Sequence, residues 1–311
     1  MPIRALRDLL SFRRADGRVI FAVARNAAAA SRERAEEMAA ELGGVCLAAG
    51  SVRDSMVGSA HAIVWEGSDR PRRAPRNQAA APQILDVHIP PDDQEERSDL
   101  LEACREFRFL LTSTQATREY LGSEPEEGWR SWIVPHHHNN PVGFVISEDR
   151  IESPRVVGFV GGGSDLHDPD AIESQIKKLS LVFMRCEDSG PSAYEHIDIG
   201  IAWTRPHEIR DRTLGCRTMV NLVSRGIPCV LPEYDSYRDA DAALGGGAAV
   251  IRSDLPSWLE GLGEIVGSEA VRREIWSKAS AAQRLYSRKT IGNTLLSVVE
   301  ECRFEPNCAG P

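Results

Sequence analysis

The sequence lacks the short motifs of several common enzyme classes and any segment that would cross a membrane. No G-x-S-x-G, H-E-x-x-H or Walker A pattern occurs, which argues against serine hydrolases, zincin proteases and P-loop kinases. No run of 18 apolar residues is present, and the first residues lack the apolar core of a secretory signal. These absences predict a cytoplasmic location.

Paired cysteines and a positive charge balance are also missing. The seven cysteines are an odd number and include no C-x-x-C pair, so neither a disulfide framework nor a zinc site is predicted. The formal net charge is -9, whereas a nucleic-acid-binding protein usually presents a basic face. The sequence therefore predicts a protein of a reducing compartment with no nucleic-acid partner and no metal site.

The apolar residues that are present follow an alternating pattern of strands and helices. The chain has 311 residues, of which 42% are hydrophobic, enough for two cores. Strands that alternate with helices are typical of βαβ units and a parallel sheet. Strand-like runs occur at 18–25, 44–50, 60–66, 83–90, 108–113 and 131–141, and again at 155–163, 179–185, 196–203, 228–232 and 248–252.

The two series of strands are separated by residues 142–154, which contain Gly143, three acidic residues and Pro154 and are interpreted as a linker. The pattern predicts an α/β protein with two Rossmann-like, parallel-sheet domains. We expect an N-terminal domain at residues 1–145 and a C-terminal domain at residues 153–311. The last 55 or so residues predict helices that cover one or both sheets.

Residues 196–239 carry the most specific pattern. HIDIGIAW predicts a strand, an Arg-rich loop follows at 205–217, and a helix then precedes the turn Gly226-Ile227-Pro228-Cys229-Val230. This order resembles the donor half of GT-B-fold glycosyltransferases of the nucleotide-sugar-dependent group 1, or family-4-like, type. LDVHIPPD at 85–92 and WIVPHHHNN at 132–140 are similar to the first half of that fold. The resemblance implies two domains that face a cleft, an acceptor-side domain first and a donor domain second.

The chain lacks two carboxylates that are common in that family. Many retaining members carry two glutamates in an E-x7-E spacing, and the corresponding positions here are Thr213 and Asn221. The resemblance nevertheless implies donor-binding residues on the second domain. They are Gly162, Gly163, Arg205, Arg212, Arg217, Thr218, Asn221 and Glu233.

These residue types suit a nucleoside diphosphate. Arginine neutralises phosphate charge with a bidentate fork, and a helix N-terminus adds backbone N–H donors. Arg212 and Arg217 are the expected direct contacts, Gly162 and Gly163 permit close backbone approach, and Asn221 would hold a ribose hydroxyl. The alternatives are a solvated arginine loop, a flexible glycine turn and, for Asn221, an exposed helix face.

Asp86 and His88 end a strand of the first half. Residues two apart on a strand share a face, so Asp86 can orient the imidazole of His88. We predict that His88 contacts the reacting sugar or acts as a base, with a structural histidine as the alternative. His136, His137 and His138 resemble a metal tract, but adjacent residues of an extended chain alternate in direction, which favours a role beside the cleft.

The sequence as a whole predicts a metal-independent glycosyltransferase with no tightly bound cofactor. It would move a sugar from a nucleoside-diphosphate sugar to an acceptor. A nucleotide-sugar epimerase of the same fold and a non-catalytic relative that binds a sugar nucleotide or a protein are the alternatives. Residues 1–14 alternate apolar residues with arginines, which predicts either peripheral contact with the inner face of a membrane or an ordinary docking helix.

Overall fold

A computed structural model describes most of the chain, in two compact units. The described residues are 18–23, 29–52, 56, 60–66, 81–87, 100–102, 104, 107–121, 129–141, 143–160, 166–186, 191–204 and 215–304. Unit 1 comprises Met1–Val134 and Arg288–Pro311, and unit 2 comprises Pro135–Ser287. The arginine-bearing residues 1–14, and with them the predicted membrane contact, lie outside the described residues.

The described strands of unit 1 form a six-stranded parallel sheet in the order β2-β1-β3-β4-β5-β6. All five residues of both β1 and β4 are buried, because helices and loops cover both faces of a parallel sheet. The strands are β1 Val19–Val23, β2 Val45–Ala48, β3 Ala62–Glu66, β4 Gln83–Val87, β5 Phe109–Thr112 and β6 Arg130–Ile133. The described helices of this unit are α1 Ala29–Glu41, α2 Gln115–Leu121 and α10 Arg288–Phe304.

Helix α10 belongs to unit 1, although it follows all of unit 2 in the chain. Its apolar side, which includes Leu295 and Val299, is buried. Polar contacts fix its two ends: Arg288 pairs with Glu37 of α1, and the indole of Trp132 donates to Glu301 at 3.0 Å. The helical character of the last residues is therefore confirmed, and this helix completes the first unit.

The described strands of unit 2 form a five-stranded parallel sheet in the order β11-β10-β9-β7-β8. The strands are β7 Val156–Val160, β8 Val182–Cys186, β9 Ile199–Ile201, β10 Cys229–Pro232 and β11 Val250–Arg252. The described α-helices are α3 Glu148–Glu152, α4 Pro169–Lys178, α5 Arg217–Ser224, α6 Asp235–Ala243, α7 Leu255–Gly267, α8 Glu269–Ser277 and α9 Ala279–Leu285. Two Rossmann-like parallel sheets thus confirm the predicted fold class.

Residues 142–154, which were interpreted as a linker, contain the short helix α3. Ile151 of this short helix is fully buried. Arg150 donates to Asp198 at 2.6 Å and to the carbonyl of Ile197 at 2.7 Å, and Arg272 donates to the carbonyl of Ile151 at 2.5 Å. These long-range bonds hold a five-residue helix that would not be stable alone.

None of the described helices is long and apolar enough to span a bilayer.

Candidate functional site

The sheet of unit 2 has a topological switch point between β7 and β9. These strands are hydrogen-bonded neighbours, although β8 lies between them in the sequence. The chain leaves β7 towards β8 on one side and leaves β9 towards β10 and β11 on the other. In open α/β sheets, ligands bind at such a point, outside the carboxyl ends of the strands. The arrangement therefore selects the ends of β7 and β9 as the candidate site.

Both segments that were predicted to bind phosphate start at this switch point. The glycines at 161–163 directly follow β7, and the arginine-rich segment from 205 begins four residues after the end of β9. Gly162, Gly163, Arg205 and Arg212 themselves lie outside the described residues. His167 follows the glycines in the sequence, and Trp203 precedes the arginines. The backbone N–H of His167 donates to the carbonyl of Trp203 at 3.1 Å. This bond joins two residues that flank the segments.

Helix α5 begins where the arginine-rich segment ends. Arg217, its first residue, is partly buried. The hydroxyl of Thr218 bonds the phenol of Tyr237, whose pKa is raised because that side chain is fully buried. The N-terminus of a helix carries a partial positive charge and unpaired N–H groups. An arginine in this first turn adds a full charge to it.

Gly215, just ahead of α5, is required by the packing of a histidine. A Cβ on Gly215 would lie 2.0 Å from Cδ2 of His136, too close for any real contact. His136 is only 9% exposed. In the structure, the group that approaches its backbone is the imidazole ring of His136.

Asn221 of α5 is buried and bonded to the segment that begins unit 2. Its side-chain oxygen accepts the backbone N–H of Asn139 at 2.8 Å, and its carbonyl accepts Nδ2 of Asn140 at 2.6 Å. Only 2% of Asn221 is exposed, so the alternative of an exposed helix face is wrong. The side-chain oxygen already accepts one hydrogen bond, and contact with a ribose hydroxyl stays a prediction.

The bonds of Asn140 extend this network to two further residues. Its Nδ2 also donates to Oγ of Ser224 at 2.6 Å, and its Oδ1 accepts Nε of Arg225 at 2.7 Å. Arg225 is 1% exposed and stacks on Phe144, with 4.6 Å between the guanidinium carbon and the ring centre. Burial lowers the pKa of Arg225. Sequence reasoning missed this network, because its partners lie more than 80 residues apart.

The histidine tract is part of the same packing. Nδ1 of His138 accepts the backbone N–H of Asn140 at 3.2 Å, so the proton of the neutral ring lies on Nε2, which faces the carbonyl of Gln283 at 3.1 Å. Both ring nitrogens are therefore engaged within unit 2. Within the described part of the chain, no group of three or more His, Cys, Asp or Glu side chains could hold a metal ion.

Glu233 lies on the same edge of the sheet as the switch point. It directly follows β10, the neighbour of β9, and its carboxylate pairs with the guanidinium of Arg238. A carboxylate in this place could accept hydroxyl groups of a bound sugar, and its arginine partner would hold it in position. Donor binding by Glu233 stays a prediction.

Asp86 of unit 1 contacts an arginine. The carboxylate on β4 is buried, and its Oδ2 lies 3.7 Å from Nε of Arg34 on α1. Nη2 of Arg34 donates to the carbonyl of Val134 at 2.9 Å, so this ion pair joins the helix to the sheet. His88 lies outside the described residues. The proposed orientation of His88 by Asp86 therefore stays a prediction, and Asp86 has a structural role besides.

The described fold is that of GT-B glycosyltransferases. The chain is similar to Alr3699/HepE of Anabaena in complex with UDP, with a TM-score of 0.61, 13% identity and coverage of 91% of this chain and 100% of that one. α,α-Trehalose 6-phosphate synthase from Burkholderia multivorans gives a TM-score of 0.59, 10% identity and coverage of 93% and 99%. AviGT4, a glycosyltransferase of avilamycin A biosynthesis, gives a TM-score of 0.57 and 11% identity, with coverage of 92% of this chain and 97% of that one. No protein-family model and no curated protein sequence matches this chain.

Proposed function

We propose that the protein is a glycosyltransferase that takes a sugar from a nucleoside-diphosphate donor. The observation that carries this proposal is the switch point between β7 and β9, which a glycine-rich and an arginine-rich segment follow in the sequence, and where His167 bonds Trp203. The similar HepE protein has been crystallised with UDP, with UDP and glucose, and with UDP-glucose. Unit 2 would bind the donor, and unit 1 would supply the acceptor side.

The arginines supply the chemistry in this proposal. Transfer of the sugar leaves a nucleoside diphosphate with developing negative charge, which fixed cations and helix N–H groups stabilise more strongly than they stabilise the intact donor. Arg212, Arg217 and the first turn of α5 would do this without a metal ion. We therefore expect transfer to persist in the presence of EDTA.

Calorimetry with UDP, ADP and GDP tests donor binding directly. Arg212→Ala and Arg217→Ala should each weaken binding of the preferred nucleotide roughly tenfold to hundredfold, because a hydrogen bond to a charged group contributes about 1.5–3 kcal/mol. Lys178→Ala is the matched control. It removes an exposed cation from the last turn of α4, a crossover helix that returns towards the amino ends of the strands, so the nucleotide affinity should not change.

The alternatives predict other results. If none of the three nucleotides binds, or if both arginine variants bind as tightly as the native chain, the proposed site is refuted. Conversion of a nucleotide sugar without an acceptor would identify an epimerase. Donor binding with no turnover of any acceptor would favour a non-catalytic relative.

His88→Ala separates the catalytic step from donor binding. If His88 acts as a base, the variant should lose about 10²–10⁴-fold in turnover while its donor affinity changes little. A role in holding the sugar would reduce affinity as well, and a structural role would lower the melting temperature first. Native turnover in a stable variant would remove His88 from the site.

A further inference from the structure

Strand β8 is an unusually exposed and apolar sheet edge. Among the described strands it pairs with β7 alone. None of its five residues is buried, and Val182 is 62% exposed, whereas all residues of β9 and β10 are buried. Natural edge strands usually carry charges, prolines or bulges that prevent further pairing. Residues 182–184 are Val, Phe and Met and carry no such protection.

A groove runs along this edge between β8 and α4. This open groove has a volume of about 480 Å³, and its lining includes Glu173 and Lys177 of α4 and Leu181 and Phe183 on the strand side. The guanidinium of Arg185 lies over the ring of Phe183, at 5.4 Å from its centre, and pairs with Glu173 at 2.6 Å. Apolar side chains thus line a groove that has charged groups along its helical wall.

The charges along α4 are arranged in two halves. The first turn contains Asp170, Glu173 follows it, and the last turn contains Lys177 and Lys178. The helix runs opposite to β8, because the backbone N–H of Leu181 bonds the carbonyl of Ile176 while Arg185, at the other end of the strand, reaches Glu173. The acidic half therefore lies beside the end of β8 and the basic half beside its start.

We propose that the β8 edge binds a second copy of this chain through antiparallel pairing of the two β8 strands. A two-fold axis perpendicular to the sheet at Phe183 places Val182 opposite Met184 of the second copy and keeps both α4 helices on one face. The same axis brings Glu173 of each chain beside Lys177 of the other, so that two equivalent pairs of opposite charge form. The edge is therefore complementary to itself in hydrogen bonding, apolar surface and charge, as an isologous interface requires.

Sedimentation velocity on the full chain, over about 1 to 100 μM, measures the association. The expected species has twice the 34.2 kDa of one chain. Val182→Lys places a charge on the exposed edge without touching the core and should leave a monomer. Lys177→Glu sets two carboxylates against each other and should raise the dimer dissociation constant roughly tenfold or more. Lys178→Glu makes the same charge change one residue away, outside the groove lining, and should dimerise normally.

Three outcomes would overturn the proposal. The first is a native chain that stays monomeric at the highest concentration. The second is a dimer that both Val182→Lys and Lys177→Glu leave intact, which would place the interface elsewhere. The third is growth into open polymers, which a closed two-fold contact does not allow. Circular dichroism of each variant shows whether lost association follows lost folding, and a Val182→Lys monomer with native melting supports the proposal. Slower amide exchange in residues 182–186 of the native dimer than of that monomer supports it further.

Discussion

Replacing Arg272 tests how unit 2 holds its short helix α3. This arginine of α8 is only 4% exposed, and its guanidinium donates to four carbonyl oxygens. They belong to Ile151 at 2.5 Å, Glu152 at 3.0 Å, and Ile265 and Val266 at 2.7 Å each. The acceptors lie at the C-terminal ends of α3 and α7, whose last carbonyls have no partner within their own helix. Arg272 therefore caps two helices at once.

The expected cost of Arg272→Met is about 3–5 kcal/mol of unfolding free energy. Methionine keeps the apolar stem of the side chain but removes all four donors and the charge. Each hydrogen bond to a charged group contributes about 1.5–3 kcal/mol, and the carbonyls left behind lose their partners. These contributions are not additive, because the four hydrogen bonds share one guanidinium. Burial of this guanidinium lowers the pKa of Arg272. A buried carbonyl that loses its partner costs about 1–3 kcal/mol in desolvation, so several such losses at one site give a total of about 3–5 kcal/mol.

The neighbouring Arg273 supplies the control. Its guanidinium pairs with Glu148, Glu152 and Glu269, but its side chain is 39% exposed. Solvent screens such pairs, so Arg273→Met should cost less than about 1 kcal/mol. Urea unfolding followed by circular dichroism, with amide exchange of residues 148–152 as a local measurement, compares the two variants. If Arg272→Met destabilises no more than Arg273→Met, the capping argument is refuted.

Three further predictions address packing, thiol chemistry and a buried carboxylate. Gly215→Ala should cost about 1–3 kcal/mol of stability by thermal unfolding, because its Cβ would overlap a buried imidazole, whereas Gly263→Ala has open space and should be neutral or stabilising. Burial raises the pKa of Cys302 to about 12, so iodoacetamide at pH 8 should modify the half-buried Cys46 and Cys186 and spare Cys302 until the chain unfolds. Peptide mass spectrometry can show this, and early labelling of Cys302 would contradict its placement. Asp198→Asn should lower the free energy of unfolding in urea by about 2–3 kcal/mol, because the carboxylate accepts one guanidinium and two backbone N–H bonds. An unchanged urea midpoint would rule out this role.

Local patterns in the sequence were sufficient to predict most of the elements. The sequence around α4 shows this: Pro169 opens the helix, and Ile172 and Ile176 recur at helical spacing on its buried side. The apolar run of β7 was equally plain. Helix α3 was missed because it contains a single buried apolar residue, Ile151, and depends on Arg272, 121 positions away.

Contacts between distant residues explain what sequence reasoning missed at the candidate site. The glycine and arginine segments were identified by composition, and their place at a switch point follows from the strand order, which no single segment encodes. The role of Gly215 depends on His136, 79 positions away, and the burial of Asn221 depends on Asn139, 82 positions away. The type of a residue suggests which groups it could bind, but the group that it contacts within the protein becomes visible only in the folded chain.

The position of α10 has a consequence for synthesis of the protein on the ribosome. All residues of unit 2 emerge before this helix, so unit 2 can fold while the chain is still growing. Unit 1 begins first, but it must wait for residues 288–304 before Arg288 can reach Glu37 and Trp132 can reach Glu301. Until then the surface of α1 that receives α10 stays open to chaperones and proteases. A stop codon just before Arg288 would therefore leave the residues of unit 2 complete and deprive unit 1 of its last helix.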